Sequence, residues 1–499
     1  MKTRKIFGLM FIVLAAIFTS CSDNDSVVAA TGLDVTKDNE SVTQLDFNQA
    51  EAQVMLGVNT NGEWTATVPE ADTAWLKITP HAGPGWEYAD STATNTNNYI
   101  KVTVTGNDSE QRSSAITVTA GKYSKVITVN QKGIARDPGD NFMSAWQLRD
   151  SLHMGYNLGN TLESNPSGSW WDPSTKTVSD WETAWGQPVT TQAMIDSIVA
   201  KGFNIIRVPV TWGPHLDANN NIDEAWMNRV EEVVNYVLKD NAYCIINVMH
   251  DTGAGGAWLY ADMDKYPEQT AKYQAIWRQI ANRFKDYGDH LIFESFNEIL
   301  DKNYSWSAPA PGSGAYTAIN KLQQDFVNTV RATGGNNEYR NLAITTYAAT
   351  GNKNSSNNGD PLAELQLPTD VHPSHIYLTI HSYDPYNFCN YNAGKNADGK
   401  DYDYNIYVWD SQCEEDVSTV INRVDARAAQ LGIPYIFGEF GAIDNKKSMD
   451  ERVKYANYVA SQFKDHHTTG LWWMGLFDRN TMTWTEPRIV NALKTSFGF

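Results

Sequence analysis

The sequence predicts an α/β fold, a (β/α)8 or TIM barrel, preceded by a small all-β immunoglobulin-like sandwich. Two patterns carry this. From about residue 143 onward, eight apolar, β-rich runs alternate with amphipathic stretches, as in a parallel sheet with crossover helices. Ahead of them, residues 34–133 hold only short β-rich runs separated by turn clusters, the spacing of a sandwich. A third observation agrees: polar residues of the second half gather at the ends of its runs, where the working face of such a barrel lies.

The chain opens with Lys2, Arg4 and Lys5 before an apolar run over 6–18, too short for a mature membrane span. Phe18-Thr19-Ser20-Cys21 follows. It resembles a bacterial lipobox, which makes 1–21 a lipoprotein signal and Cys21 the lipidated first residue. The acidic Ser22-Asp23-Asn24-Asp25 resembles the surface-export tag of lipoproteins in polysaccharide-foraging Gram-negative bacteria. Together they place the protein at the cell surface, held on the outer membrane by a lipid anchor. A plain secretory signal with a chance cysteine is the alternative.

In 34–133 the strand candidates include V-M-L-G-V, Y-I-K-V-T-V, A-I-T-V-T-A and K-V-I-T-V-N, with Trp64 and Trp75 as core residues. The landmarks G-E-W, A-W-L-K-I-T-P, Asn107 with Arg112, and V-N-Q-K-G resemble a BACON domain. That resemblance implies a spacer or a carbohydrate-binding module. Residues 134–142, with Pro138 and Gly139, read as a linker to a catalytic domain over 143–499.

The barrel strand candidates, in order, are M-G-Y-N-L-G-N, N-I-I-R-V-P-V-T-W, Y-C-I-I-N-V-M-H, L-I-F-E-S-F-N-E, L-A-I-T-T-Y, I-Y-L-T-I-H-S-Y, P-Y-I-F-G-E-F-G and G-L-W-W-M-G-L-F-D. Helical periodicity appears at 194–200, 226–238, 273–284, 322–330, 417–429 and 452–463.

A net charge of -19 repels nucleic acid, anionic membranes and acidic polysaccharides and favours a neutral partner. The 17 Trp and 24 Tyr supply cores and, on exposed faces, flat platforms for sugar rings. Trp170, Trp171, Trp181, Trp185, Trp212, Trp258 and Trp409 fall at loop tips and are candidate walls of an open cleft. Cys244 sits in a strand and reads as a buried free thiol. Cys389 and Cys413 could pair in one long loop, since export permits disulfides. No Cys–His spacing suggests zinc.

The strand ends hold Arg207, His250, Asn297 with Glu298, His381 with Tyr383, Glu439, and the Trp472-Trp473 pair. Two carboxylates facing one site suit acid–base cleavage of a glycosidic bond. Glu294, four residues before Glu298, reads as a structural residue paired with a cation inside the barrel. Asn297-Glu298 and Glu439, with M-G-Y-N-L-G-N-T-L-E, W-G-Q-P and N-I-I-R-V-P-V-T-W, resemble glycoside hydrolase family 5, in its endo-β-1,4-glucanase and xyloglucanase subfamily. The resemblance implies a retaining enzyme with Glu298 as acid/base and Glu439 as nucleophile. It gives Arg207 and Tyr383 the support of Glu439, Asn297 the sugar 2-OH, and His250 and His381 the lining of the cleavage subsite. Trp473 floors that subsite. The implied partner is a neutral polysaccharide, xyloglucan first, then mixed-linkage β-glucan, cellulose or mannan, with no cofactor or metal and a monomeric chain. The rival reading is a non-catalytic surface glycan-binding protein on a decayed barrel.

Overall fold

The computed structural model describes residues 29–47, 51–85, 98–107, 112–132, 142–253, 257–390, 406–444, 447–473 and 475–498. The export signal, Cys21 and almost all of the predicted linker lie outside these residues. Among the described residues, no helix is long and apolar enough to cross a membrane.

Two compact units are present. The first is a sandwich of two five-stranded sheets. Its longest strands, Ala52–Asn59, Arg112–Ala120 and Tyr123–Gln131, turn alternate apolar residues inward. Leu56, Val58, Ile116, Val118, Ile127 and Val129 form the core. Trp64 and Trp75 lie in that core. Trp64 donates through Nε1 to Asn98 Oδ1 at 2.9 Å, and the Arg112 guanidinium sits 4.5 Å from the Trp75 ring centre. Both indoles are committed to packing.

The second unit is a closed barrel of eight parallel strands: β1 (Met154–Asn157), β2 (Phe203–Val208), β3 (Tyr243–Asn247), β4 (Leu291–Glu294), β5 (Leu342–Ile344), β6 (Ile376–Ser382), β7 (Tyr435–Phe440) and β8 (Gly470–Trp473). A helix follows each: α1 (Gln192–Ala200), α2 (Glu224–Lys239), α3 (Tyr266–Arg283), α4 (Gly314–Arg331), the short α5 (Pro361–Glu364), α6 (Ser411–Leu431), α7 (Met449–Asp465) and α8 (Pro487–Phe497). Each sequence-predicted helix is shorter than the observed one, and all lie inside it except 273–284, which runs one residue past the end of α3. Side-chain caps extend the real helices: Asp223 accepts from Ala225 and Trp226 at the start of α2, and Asp410 from Gln412 and Cys413 at the start of α6.

Strand parity separates two cores. Ile206, Val208, Phe293, Leu378 and Phe437 face outward against the helices. Ile205, Ile245, Ile292, Ala343, Tyr377, Ile436 and Leu471 fill the barrel interior. A helix absent from the sequence reading, Ala145–Ser151, contributes Ala145 and Leu148 to that interior cluster. Polar side chains take over one step further along the same inward rows. Arg207 follows Ile205, and Glu294 follows Ile292.

Two expectations are corrected here. Cys389 and Cys413 are free buried thiols. Cys389 ends a short helical turn, Tyr386–Cys389, and Cys413 is in the first turn of α6, not in one shared loop. Trp181, Trp212 and Trp409 belong to the core and not to a cleft wall. The Trp212 Nε1 donates to the Asn247 carbonyl at 2.9 Å, and Trp409 packs between Phe388 and Tyr455. Cys244 is buried in β3 as a free thiol.

Candidate active site

The inward row of β2 places Arg207 at the centre of the site, fully buried. Its Nε donates to Glu294 Oε2 at 2.7 Å, and its Nη1 to Glu439 Oε1 at 2.8 Å and Asn157 Oδ1 at 3.1 Å. Its Nη2 donates to Asn297 Oδ1 at 2.8 Å. A planar fork serves four partners, on β1, β4, β7 and the turn just past β4, which a lysine ammonium on a single stem does not do. Glu294 is the buried structural carboxylate anticipated at that position, and it also accepts from Asn247 Nδ2 at 2.8 Å.

Glu439 ends the inward row of β7 and is 5% exposed. Below it Gly438 allows close approach to β6, where an added Cβ would lie 2.6 Å from Thr379 Oγ1. Both oxygens of Glu439 are held, Oε1 by Arg207 and Oε2 by the Tyr383 hydroxyl at 2.8 Å. Burial pushes the Glu439 carboxyl above its ordinary range and Glu298 adds to this. His381, Arg207 and the Tyr383 hydrogen bond oppose the shift without cancelling it. The same carboxylate, behind burial, holds the Tyr383 phenol well up.

Glu298 lies beyond β4, which ends at Glu294. The chain turns away from β5 here but stays bonded to the β3 side, Asn297 N donating to the Val248 carbonyl at 2.8 Å. Glu298 is thereby lifted toward solvent, its side chain 21% exposed against 6% for that of Glu439. His381, on the inward row of β6, stands between them, Nδ1 2.8 Å from Glu298 Oε1 and 3.6 Å from Glu439 Oε2. Burial opposes a charge on His381, but Glu439 and the bonded Glu298 outweigh it and raise its pKa. Ligand atoms of Glu298, His381 and Glu439 all lie within 4.8 Å of one another. That spacing could hold a cation, but the imidazole already stands between the two carboxylates.

His250 sits just past β3, with Trp185 edge-on at 5.2 Å. Burial pushes its imidazole down to about 4, against the pull of Glu298. It is neutral at physiological pH and available for hydrogen bonding. Trp472 packs on Phe440 and Tyr455, while Trp473 is only half-buried along the cleft.

These groups line one cleft of about 1220 Å3. It collects His250, Asn297, Glu298, His381, Tyr383, Glu439 and Trp473, and its wall includes Asn160, Trp306, Lys353 and Tyr386. Arg207 lies beneath the cleft. Of the remaining anticipated loop tryptophans, Trp258 is tied to Asp251 at 2.5 Å, and Trp171 is wedged between Trp170 and Trp181. Only Trp170 is strongly exposed.

Trp306, like Tyr386, is a cleft aromatic that sequence reasoning missed. It lies eight positions after Glu298, in a run of small and turn residues, and is 58% exposed in the cleft wall. Its loop is fastened on both sides: Tyr347 OH donates to the Ser305 carbonyl at 2.5 Å, and Asn354 and Asn357 donate to the Ala308 carbonyl at 2.9 and 3.0 Å. Asn157 was also missed, although the Y-N-L-G-N run contained it.

A parallel barrel with two carboxylates whose oxygens come within 4.8 Å of one another at its C-terminal face is the layout of a glycoside hydrolase. Comparison with known proteins agrees. Residues 167–475 match the family described as cellulase (glycosyl hydrolase family 5), and residues 63–132 match BACON, a putative N-terminal binding domain. The chain is 36% identical to endoglucanase A of Ruminococcus albus, over 72% of this chain and 94% of that one. It is 28% identical to the xyloglucan-specific endo-beta-1,4-glucanase BoGH5A of Bacteroides ovatus, over 95% and 92%. The crystal structure of PbGH5A from Prevotella bryantii B14, in complex with a xyloglucan tetradecasaccharide, superposes with a TM-score of 0.64. That match has 38% identity and covers 72% of this chain and all of that one. The chain belongs to glycoside hydrolase family 5 and carries a BACON domain ahead of its barrel.

Proposed function

We propose that this chain is a retaining endo-β-1,4-glucanase acting on xyloglucan, through Glu439 as nucleophile and Glu298 as acid/base. The observation that carries the mechanism is the close approach of the two carboxylates within 4.8 Å. Retaining pairs sit roughly 5–5.5 Å apart, and inverting pairs leave roughly 6.5–9.5 Å for a water. Glu439 attacks the anomeric carbon as Glu298 passes its proton to the leaving oxygen. A covalent glycosyl-enzyme results, and the negative charge of Glu439 is consumed. Glu298 then takes a proton from water, which releases the sugar with its original configuration. His381 shares a hydrogen bond with Glu298 and steadies it through both changes. Asn297 has its carbonyl oxygen occupied by Arg207, so its amide N–H groups are left to donate to the sugar 2-OH and the nucleophile. That contact strengthens as positive charge develops on the ring.

The xyloglucan assignment rests on the relatives. The Bacteroides ovatus enzyme matches along 95% of this chain, leading domain included. Product analysis on xyloglucan, mixed-linkage β-glucan, soluble cellulose derivatives and mannan tests it. Fastest turnover on xyloglucan with oligosaccharide products supports the reading, and negligible xyloglucan turnover beside rapid cellulose or mannan hydrolysis refutes it. Cys21 anchors the chain to the outer membrane at the cell surface in this reading. Fractionation of Cys21→Ala into the soluble phase supports that, and unchanged membrane association contradicts it. The sandwich serves as a spacer, because its two core tryptophans are unavailable to sugars. Retardation of the isolated domain in a xyloglucan gel would overturn the spacer role.

A further inference from the structure

Glu163 is a buried carboxylate that the two-glutamate chemistry does not use. It closes the run L-G-N-T-L-E that follows β1 and is fully buried. Its Oε1 accepts from the backbone N–H of Asn160, and its Oε2 from that of Thr161 at 2.9 Å. Arg479, from beyond β8 and also buried, donates through Nη2 to the Gly159 carbonyl. Burial pushes the Glu163 carboxyl up to about 7, against the backbone hydrogen bonds and the more distant charge of Arg479. Thr211 Oγ1 holds the Glu163 carbonyl at 2.9 Å, which fixes the run to the end of β2.

Asn160 lies between these two attachments, Glu163 on its own N–H and Arg479 on the preceding Gly159 carbonyl. It lines the cleft, and its φ of 58° puts it in the left-handed region that few side chains adopt. Its backbone N–H is held by Glu163, while among the described residues its side-chain amide makes no internal hydrogen bond. Its place in the cleft also has a side. β1 pairs with β8, Asn157 opposite Trp473, so Asn160 lies on the flank opposite the β4–β6 loops that carry Glu298 and Trp306. The acid stands with the leaving group, so the β8–β1 flank receives the glycone.

We propose that buried Glu163 and Arg479, each bonded separately to the backbone of this run, form a positioning device that presents the Asn160 amide to a sugar hydroxyl on the glycone side of the cleft. Asn160 touches substrate, and Glu163 acts only through it. The proposal rests on the retaining-glucanase reading of the cleft.

The test is a double-mutant cycle on Asn160→Ala and Glu163→Gln, read with an aryl β-cellobioside and with polysaccharide. Gln keeps the shape of Glu163 but turns one of its two acceptors into a donor. Asn160→Ala should lower kcat/KM about tenfold, the effect of one lost hydrogen bond near the upper end of its usual range. The loss should be equal on both substrates, because the glycone side is filled in each. Glu163→Gln should give a loss of the same size, and the double variant should be no worse than the single ones. Losses that simply multiply would show that Glu163 does not act through Asn160 and would overturn the proposal. Asn160→Ala is a surface truncation and remains informative if Glu163→Gln does not fold: unchanged kcat/KM in that variant also overturns it. A wild-type chain inactive on every β-glucan would instead refute the reading beneath it.

Discussion

Replacing Arg207 by Met keeps an apolar stem in the barrel and removes the guanidinium. Glu439 and Glu294, 5% and 1% exposed, then share a dry interior without their common cation. One hydrogen bond from a charged donor contributes about 1.5–3 kcal/mol. At about 1.36 kcal/mol per pKa unit, its loss moves Glu439 by about 1–2 units. The sign is upward: burial has already raised this carboxyl, and Arg207 is among the groups that lower it. Because the ionised form attacks, the acid limb of kcat/KM should move to higher pH by the same about 1–2 units, a loss of ten- to a hundredfold below that limb. Breaking a buried pair also costs about 3–5 kcal/mol of stability, so the rates belong well below the unfolding temperature, with circular dichroism as a check. A dinitrophenyl β-cellobioside is the suitable substrate, since its leaving group needs little help from Glu298 and leaves the acid limb clear. A folded Arg207→Met whose acid limb coincides with the wild-type one would refute the electrostatic role given to this residue.

Glu298→Ala should lose roughly 10²–10⁴-fold on polysaccharide while still forming the covalent intermediate from a dinitrophenyl glycoside; equal losses on both substrates would remove Glu298 as the acid. Trp306→Ala should weaken polysaccharide turnover about tenfold, since stacked aromatic contacts contribute on the order of 1 kcal/mol or more, and spare the aryl cellobioside, whose leaving group reaches no aglycone sugar platform; losses on both would place the indole elsewhere. His381 has a raised folded pKa, so the stability it contributes is present below about 6.5 and is lost as pH rises through the folded value. The melting-temperature gap between wild type and His381→Asn should therefore narrow toward alkaline pH, and a gap that widens contradicts the contacts assigned to that imidazole.

Much of the barrel was legible because its signals are local. A run such as N-I-I-R-V-P-V-T-W carries its own parity, which puts Arg207 on the inward row once Ile206 and Val208 are assigned to the helices. Glu298 and Glu439 were legible for the same reason. Loop aromatics were not, because periodicity ends where the strand ends. Trp181, Trp212 and Trp409 fold back under the loops, whereas Trp306 points into the cleft, and nothing within a few residues of any of them says which. The tract N-K-N-S-S-N-N-G after the fifth strand carries no periodicity that assigns its side chains. Its asparagines instead tie the loop to its neighbours, with Asn352 on Asp384 and Asn357 on Ala308. Cys389 and Cys413 looked able to pair because sequence spacing does not show that each is enclosed in a different helix. The clamp on Asn160 was invisible for a further reason, since Arg479 lies at the far end of the catalytic domain and reaches the Gly159 carbonyl only when β8 closes against β1.

The central claim is that Glu439 forms a covalent bond to the sugar. Incubation with a 2-deoxy-2-fluoro β-cellobioside bearing a good leaving group should trap that bond, because the fluorine slows turnover of the intermediate more than loss of an activated leaving group. Mass spectrometry of the digested protein should find one fluorosugar on the peptide containing Glu439 and none when Glu439 is replaced by Ala. Label on any other residue, or an active enzyme that accumulates no adduct and releases sugar of inverted configuration, would contradict the account.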